Sequence, residues 1–226
     1  FKGDEVVQGC QQAISPLMLS DEASGAPLAC RIHTLKAKGN RKGLTVRHVQ
    51  QDLRHTFTRW GLPDAIRMDR DPLFVGSGRL DWPGTLLLWL NGLGVQPIIN
   101  RAYRPTDNAL VERFNRTWKG DVLIGGLFTD LTMLQARSDQ ALQDRRCHLP
   151  SRHRGCHGQS PLQAYPELMT PHRPYRPEQE RALFDLDCVD TYLAQWQWQR
   201  KVDTTCQISL ADCNQRVGHR YQGQIV

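Results

Sequence analysis

Two acidic residues, Asp69 and Glu112, are the side chains whose setting in this sequence could do chemistry. Asp69 closes the apolar run "AIRM". Glu112 lies in "RPTDNALVERFNRTWKG", residues 104–120, among Arg113, Arg116 and Lys119. Mg²⁺ takes hard oxygen ligands, keeps several waters and fills the rest of its shell with substrate phosphate. Carboxylates far apart along the chain and joined by folding would make such a site. Two ions roughly 3.5–4 Å apart can clamp the attacking and leaving oxygens of an in-line phosphoryl displacement. Arg116 and Lys119 would then hold a phosphate backbone beside the metal. A plainer reading stays open: Glu112 forms an i,i+4 ion pair with Arg116, worth about 0.2–0.5 kcal/mol, and Asp69 merely enters a loop.

The elements that must position these residues follow from periodicity. "SPLMLSDEASGAPLACRIH" reads as two strands around a turn at Asp21–Gly25. Val46, Val49, Leu53, Phe57 and Trp60 form one apolar stripe, predicting a helix from about Gly43 to Trp60 that Gly61 and Pro63 stop. "DAIRMD" is a short strand ending at Asp69, followed by a loop from Arg70 to Gly84. "TLLLWLNGLG" is an apolar helix and "VQPII" another strand. In the next helix Leu110, Val111, Phe114, Trp118 and Val122 face inward, and Glu112, Arg116 and Lys119 share the opposite face. A helix fits Leu131–Asp144. "RRCHLPSRHRGCHGQSP" is a basic loop and "PHRPYRPEQE" a linker. "YLAQWQWQRKV" and "CQISLAD" alternate as strands do, with Trp196 and Trp198 as core. The order implies an α/β core followed by a small all-β module.

The 226 residues suffice for one good-sized domain plus an appendage, and the net charge of +6 leans toward polyanions. Residues 31–59 carry eight basic side chains against one acid, Asp52. That run suits either a solvated face or nucleic acid. Leu86–Leu90 is too short to span a bilayer, so no membrane is expected. The seven cysteines include no C-x-x-C pair and read as reduced thiols of a cytosolic protein. Cys147, His148, His153, Cys156 and His157 crowd into one loop, and a zinc-stabilised module is a further alternative, though their spacing matches no standard zinc pattern. Asp71 and Asp81 read as turn-forming acids.

"GLPDAIRMDRDPLF", "WLNGLGVQPIINRAYRPTDNALVERFNRTWKGDVL" and "RHRGCHGQSPLQAY", in that order, resemble the ribonuclease-H-like catalytic core of the integrase and transposase family, above all insertion-sequence transposases of bacteria. The helix motif is the specific part. The resemblance gives Asp69 the place of the second catalytic aspartate and Glu112 that of the catalytic glutamate, both as metal ligands. It puts Arg116 and Lys119 near DNA, with Tyr103 and Arg104 ahead of the helix and Arg152 in a DNA-facing loop. It excludes Asp21 from the metal site. The family's "W-x-x-D-F-K-G" against the opening "FKG" implies a chain truncated at both ends whose first aspartate preceded Phe1, with Asp4 out of register. Two departures stand out: Asp-Asn-Gly is here Asp69-Arg70-Asp71, and the Gly before the glutamate is Ala109.

The resemblance thus implies an integrase core over residues 1–165, a linker over 166–190, and the start of an SH3-like β-barrel over 191–226. The implied activity is DNA strand cleavage and strand transfer with two Mg²⁺ or Mn²⁺ ions, impaired in this fragment by the missing aspartate. The implied partners are transposon-end and target DNA and further copies of the chain, in a bacterial cytoplasm at the nucleoid. The alternative is a non-catalytic DNA-binding remnant.

Overall fold

A computed structural model describes every residue except 1–4, 8–12, 36–43, 77–81, 102–105, 107–108 and 211–212. Asp4, Asp81, Tyr103 and Arg104 therefore lie outside the described residues. Strands β1 (Glu5–Val6), β2 (Ala13–Ser20) and β3 (Pro27–Leu35) form an antiparallel sheet in that order. The turn between β2 and β3 is closed by Asp21, whose Oδ2 accepts from Ser24 N at 2.7 Å and Ser24 Oγ at 2.6 Å. This structural use of Asp21 leaves no need for a ligand role.

Helix α1 (Val46–Trp60) starts at Thr45, whose backbone N–H donates to His48 Nδ1 at 3.0 Å. It stops at Gly61, where φ is +80°, a conformation side-chain-bearing residues avoid. Val49, Leu53 and Phe57 are buried as the spacing requires, but so is Asp52, whose Oδ2 lies 2.6 Å from His33 Nε2. Trp60 is only half-buried, and the guanidiniums of Arg59 and Arg146 lie 5.1 and 5.4 Å from its ring.

β4 (Ala65–Met68) and β5 (Gln96–Ile99) pair in parallel, linked by the short α2 (Pro72–Val75) and by α3 (Thr85–Gly92). α4 (Ala109–Trp118) loosens into one π-helical turn at Lys119–Leu123 before α5 (Leu131–Cys147). The β2–β3 hairpin is sandwiched. Leu17 joins a core with α1 and α3 that includes Leu53, Phe57, Leu86 and Leu90. Ile14, Met18 and Cys30 join a second core with Trp118, Val122, Leu134 and Leu142 of the later helices. Trp118 Nε1 donates to Ser138 Oγ at 2.7 Å, which satisfies both buried groups. Leu134 is fully buried in this second core. Leu134→Ala is expected to lower the unfolding free energy by about 2–5 kcal/mol, measured by urea denaturation.

The expected linker is docked rather than free. Arg173 donates to the carbonyls of Pro63, Leu93 and Gly94, and Leu62 N donates to Arg173 O at 2.8 Å. Tyr175 is buried in the first core. α6 (Pro161–Ala164) leads into this docked strap and α7 (Glu180–Leu183) and α8 (Leu186–Leu193) follow it, and Phe184 packs so tightly on Gly92 that a Cβ there would meet its ring at 2.1 Å.

The tail also departs from expectation. "YLAQWQWQRKV" is not a strand: its first residues close α8, which Asp185 caps by accepting from Asp187 N at 2.8 Å. Trp196 is 54% exposed and meets Tyr192 edge-on, while Trp198 packs on Trp82 with ring centroids 4.8 Å apart, so Trp196 is no barrel core. Among the described residues the tail holds one hairpin, β6 (Gln207–Leu210) with β7 (Cys213–Arg216), and a bridge between Lys201 and Ile225. The six described cysteines are unpaired. Among the described residues no helix is long and apolar enough to cross a membrane.

Candidate metal and nucleic-acid site

The parallel pair β4–β5 ends with Asp69 and Asn100, each the first residue past its strand. Asn100 N donates to Met68 O at 2.8 Å, which holds the two chain ends side by side. Arg70 Nε donates to Asn100 O at 3.1 Å and ties the loop after β4 to the end of β5. In this setting Asp69 Oδ1 and Asn100 Oδ1 are both buried and have no hydrogen-bond partner. A buried polar oxygen without a partner is costly, and a charged one more so. Oxygens in that condition, at the carboxyl end of adjacent parallel strands, suit a hard cation.

The substituted Asp69-Arg70-Asp71 sequence is accommodated without strain. Asp71 has φ −62° and ψ 131° and caps α2, its Oδ1 accepting from Leu73 N at 2.9 Å. Among the described residues neither Asp69 nor Arg70 has a positive φ. The glycine that would allow a left-handed turn is not needed here.

Residues 101–108 lead from β5 to α4, where Glu112 occupies the first turn. A carboxylate there is favoured by the helix macrodipole. Val111 and Phe114 pack on the second core, and Asn115, Trp118 and Val122 are buried, so the inward face falls where periodicity put it. Glu112 and Lys119 are half-buried and Arg116 is exposed on the other face. The helix is fixed at its far end by Asp121, which accepts a bidentate pair from Arg145 at 2.7 and 2.8 Å. That pairing raises the Arg145 pKa above its ordinary value.

Arg152 is exposed in the loop that follows α5. The loop leans on the β2–β3 turn: Cys156 Sγ donates to Ser24 O at 3.2 Å, and the ring of His153 covers Gly25. Cys156 is thus occupied structurally, and no cluster of three or more His, Cys, Asp or Glu side chains able to hold a metal occurs among the described residues. Asn100 is the residue sequence reasoning missed. Its signal was positional, since the Asn ending "QPIIN" stands in register with the Asp ending "AIRMD".

Residues 93–145 match the family model described as integrase core domain, a span under half of the chain. Among solved structures, similarity extends to a chain of the simian T-cell lymphotropic virus intasome in complex with PP2A regulatory subunit B56 gamma. There the identity is 17% and the TM-score 0.49, over 78% of this chain and 61% of that one. The BIV integrase catalytic core domain is 18% identical with a TM-score of 0.44, over 73% of this chain and 91% of that one. The HTLV-2 integrase catalytic core domain in complex with magnesium, in its trimeric form, is 14% identical with a TM-score of 0.49, over 72% and 91%. The span 93–145, which contains Glu112, Arg116 and Lys119 and excludes Asp69 and Arg152, is similar to the integrase core domain.

Proposed function

We propose that this chain carries a ribonuclease-H-like integrase core, of the kind found in bacterial insertion-sequence transposases, built for divalent-metal-dependent cleavage and strand transfer of DNA. The observation that carries the reading is the buried, unpartnered Asp69 Oδ1 at the end of β4. The integrase-core match around Glu112 supports it. Asp69 and Glu112 would hold Mg²⁺ or Mn²⁺, and Asn100 Oδ1 adds a neutral oxygen beside Asp69. A bound divalent cation supplies activation of water and neutralisation of phosphate charge.

The chain's own residues do the rest. Arg70 fixes the strand ends, and the buried face of α4 sets the direction of Glu112. Arg116 and Lys119 lie one and two turns further along that helix and would bind the DNA backbone, with Tyr103, Arg104 and Arg152 contributing from the flanking loops. The core is assigned to residues 1–165 with the strap 166–190 docked on it, and residues 191–226 to the start of a barrel. Copies of the chain would pair on DNA ends, and the exposed Ile124 and Leu127 after α4 offer apolar area for such contacts. The cellular setting is a bacterial cytoplasm at the nucleoid.

The test is DNA affinity measured with Mn²⁺ and with EDTA across a salt series. The reading predicts tighter binding with Mn²⁺, and loss of that gain in Asp69→Asn. The double variant Arg116→Gln/Lys119→Gln is expected to flatten the log–log salt slope by about 2. A non-catalytic remnant would bind equally well in EDTA.

A further inference from the structure

A second cationic site lies apart from the carboxylates, in a cavity of about 150 Å³ between β3, α1 and α5. Its polar lining includes Arg31, His55, Arg59, Asp139 and Arg146, beside the Trp60 ring. Arg146 is only 3% exposed. Its Nη1 donates to the carbonyls of Pro27 and Leu28 at 2.8 and 3.4 Å, which fixes the guanidinium, yet its Nε is buried without a partner. Burial, and then the neighbouring Arg59, push the Arg146 pKa down to about 10. It stays charged at neutral pH.

Charge and enclosure narrow the ligand. Three guanidiniums line the cavity against one lining carboxylate, Asp139. Asp52 stands 3.7 Å from Arg31 and 2.6 Å from His33, so Arg31 has a counter-charge of its own and Arg59 and Arg146 carry the excess. Arg59 and Arg146 both lie near the Trp60 ring, at 5.1 and 5.4 Å from its centroid, and Arg59 acts on Arg146 as a like charge. Guanidinium forks match phosphate oxygens bidentately. A cavity walled by β3, α1 and α5 suits a group that ends inside it, and a phosphate with a free end offers three oxygens that can accept from both forks. The volume is several times the ~10–15 Å³ that admits a single water.

We infer that this cavity binds a phosphate group with a free end, either free phosphate or a terminal phosphomonoester, with Arg146 and Arg59 as its principal donors. The inference is independent of the metal site. Binding is measured by calorimetric titration of inorganic phosphate into the full chain in EDTA, which silences the carboxylates. One saturable site is expected, weakened by at least about tenfold in Arg59→Gln and in Arg146→Gln and unchanged in Arg181→Gln. If Arg146→Gln fails to fold, the exposed Arg59→Gln decides. Absence of saturable binding, or wild-type binding by Arg59→Gln, overturns the inference. Competition then separates the sources. Displacement by a 5′-phosphorylated but not a 5′-hydroxyl oligonucleotide assigns the site to a nucleic-acid end, and displacement by neither assigns it to free phosphate. Equal displacement by both marks an internal phosphodiester and overturns the proposed terminal group.

Discussion

Glu180→Gln lowers the stability of this protein by about 3 kcal/mol, a fall of roughly 6–12 °C in Tm. Glu180 is the single acceptor for three donors from separate parts of the fold. Arg54 of α1 donates Nε and Nη2 to it at 2.7 Å each, and Trp89 of α3 donates Nε1 at 3.1 Å. Tyr175 of the strap donates its hydroxyl. The Arg54 side chain also lies over the Trp89 ring at 5.0 Å. A neutral amide keeps part of this geometry but leaves a guanidinium without its counter-charge in a setting where the acceptor is 19% exposed. Because the Arg54 bonds hold the Glu180 carboxyl at about 2, well under its ordinary value, the contribution has a defined pH dependence. It is complete above the unfolded carboxyl's pKa of about 4.3 and disappears as pH falls through about 2. The stability gap between wild type and Glu180→Gln, read by urea melts, is therefore expected to be constant from pH 7 to 5 and to close toward pH 2. Equal Tm values at pH 7 would refute this account of the strap.

Asp69→Asn is expected to do opposite things with and without metal. In EDTA the wild type retains a buried carboxylate oxygen with no partner. Neutralising that group stabilises the metal-free fold by about 1 kcal/mol, or roughly 2–4 °C. With Mn²⁺ at about a hundred times its dissociation constant, the wild type gains about 2.7 kcal/mol by linkage. The variant gains almost none of it. Differential scanning calorimetry under both conditions reads the crossover, and Tm values that shift in parallel with Mn²⁺ in both proteins would contradict it. Such a trade of apo stability for ligand binding is the usual signature of a functional site.

How far these features were legible in the sequence differs by element. α1, α4 and α5 bury one face at helical spacing, whereas α3 is apolar on nearly every side and β4 and β5 are short apolar runs between turn residues. The place of Asp69 past a strand and of Glu112 on a helix was legible from periodicity, while their proposed roles came from the family resemblance. Asn100 was not, because a lone Asn after a strand reads as an ordinary turn residue until its neighbour is known. The strap failed for a different reason. "PHRPYRPEQE" has linker composition, and what docks it is a set of long-range partners, Arg54, Trp89 and three backbone carbonyls, that no local pattern encodes. The strand expected through Trp196 and Trp198 failed because alternation of aromatic and Gln residues over a short run is weak against the capped helix just before it. Asp52 was read within a charged run and Arg146 as part of a basic loop, but one is buried against His33 and the other, on α5, against Trp60 and two carbonyls.

The account stands on Asp69 and Glu112 sharing a divalent cation. Its most direct test is Mn²⁺ titration of the purified chain, with free Mn²⁺ read by electron paramagnetic resonance, on wild type, Asp69→Asn and Glu112→Gln. Saturable binding in wild type, weakened at least about tenfold in each variant, is the predicted result. Wild-type affinity in Glu112→Gln, with or without an effect of Asp69→Asn, would mean that the two carboxylates do not meet at one ion.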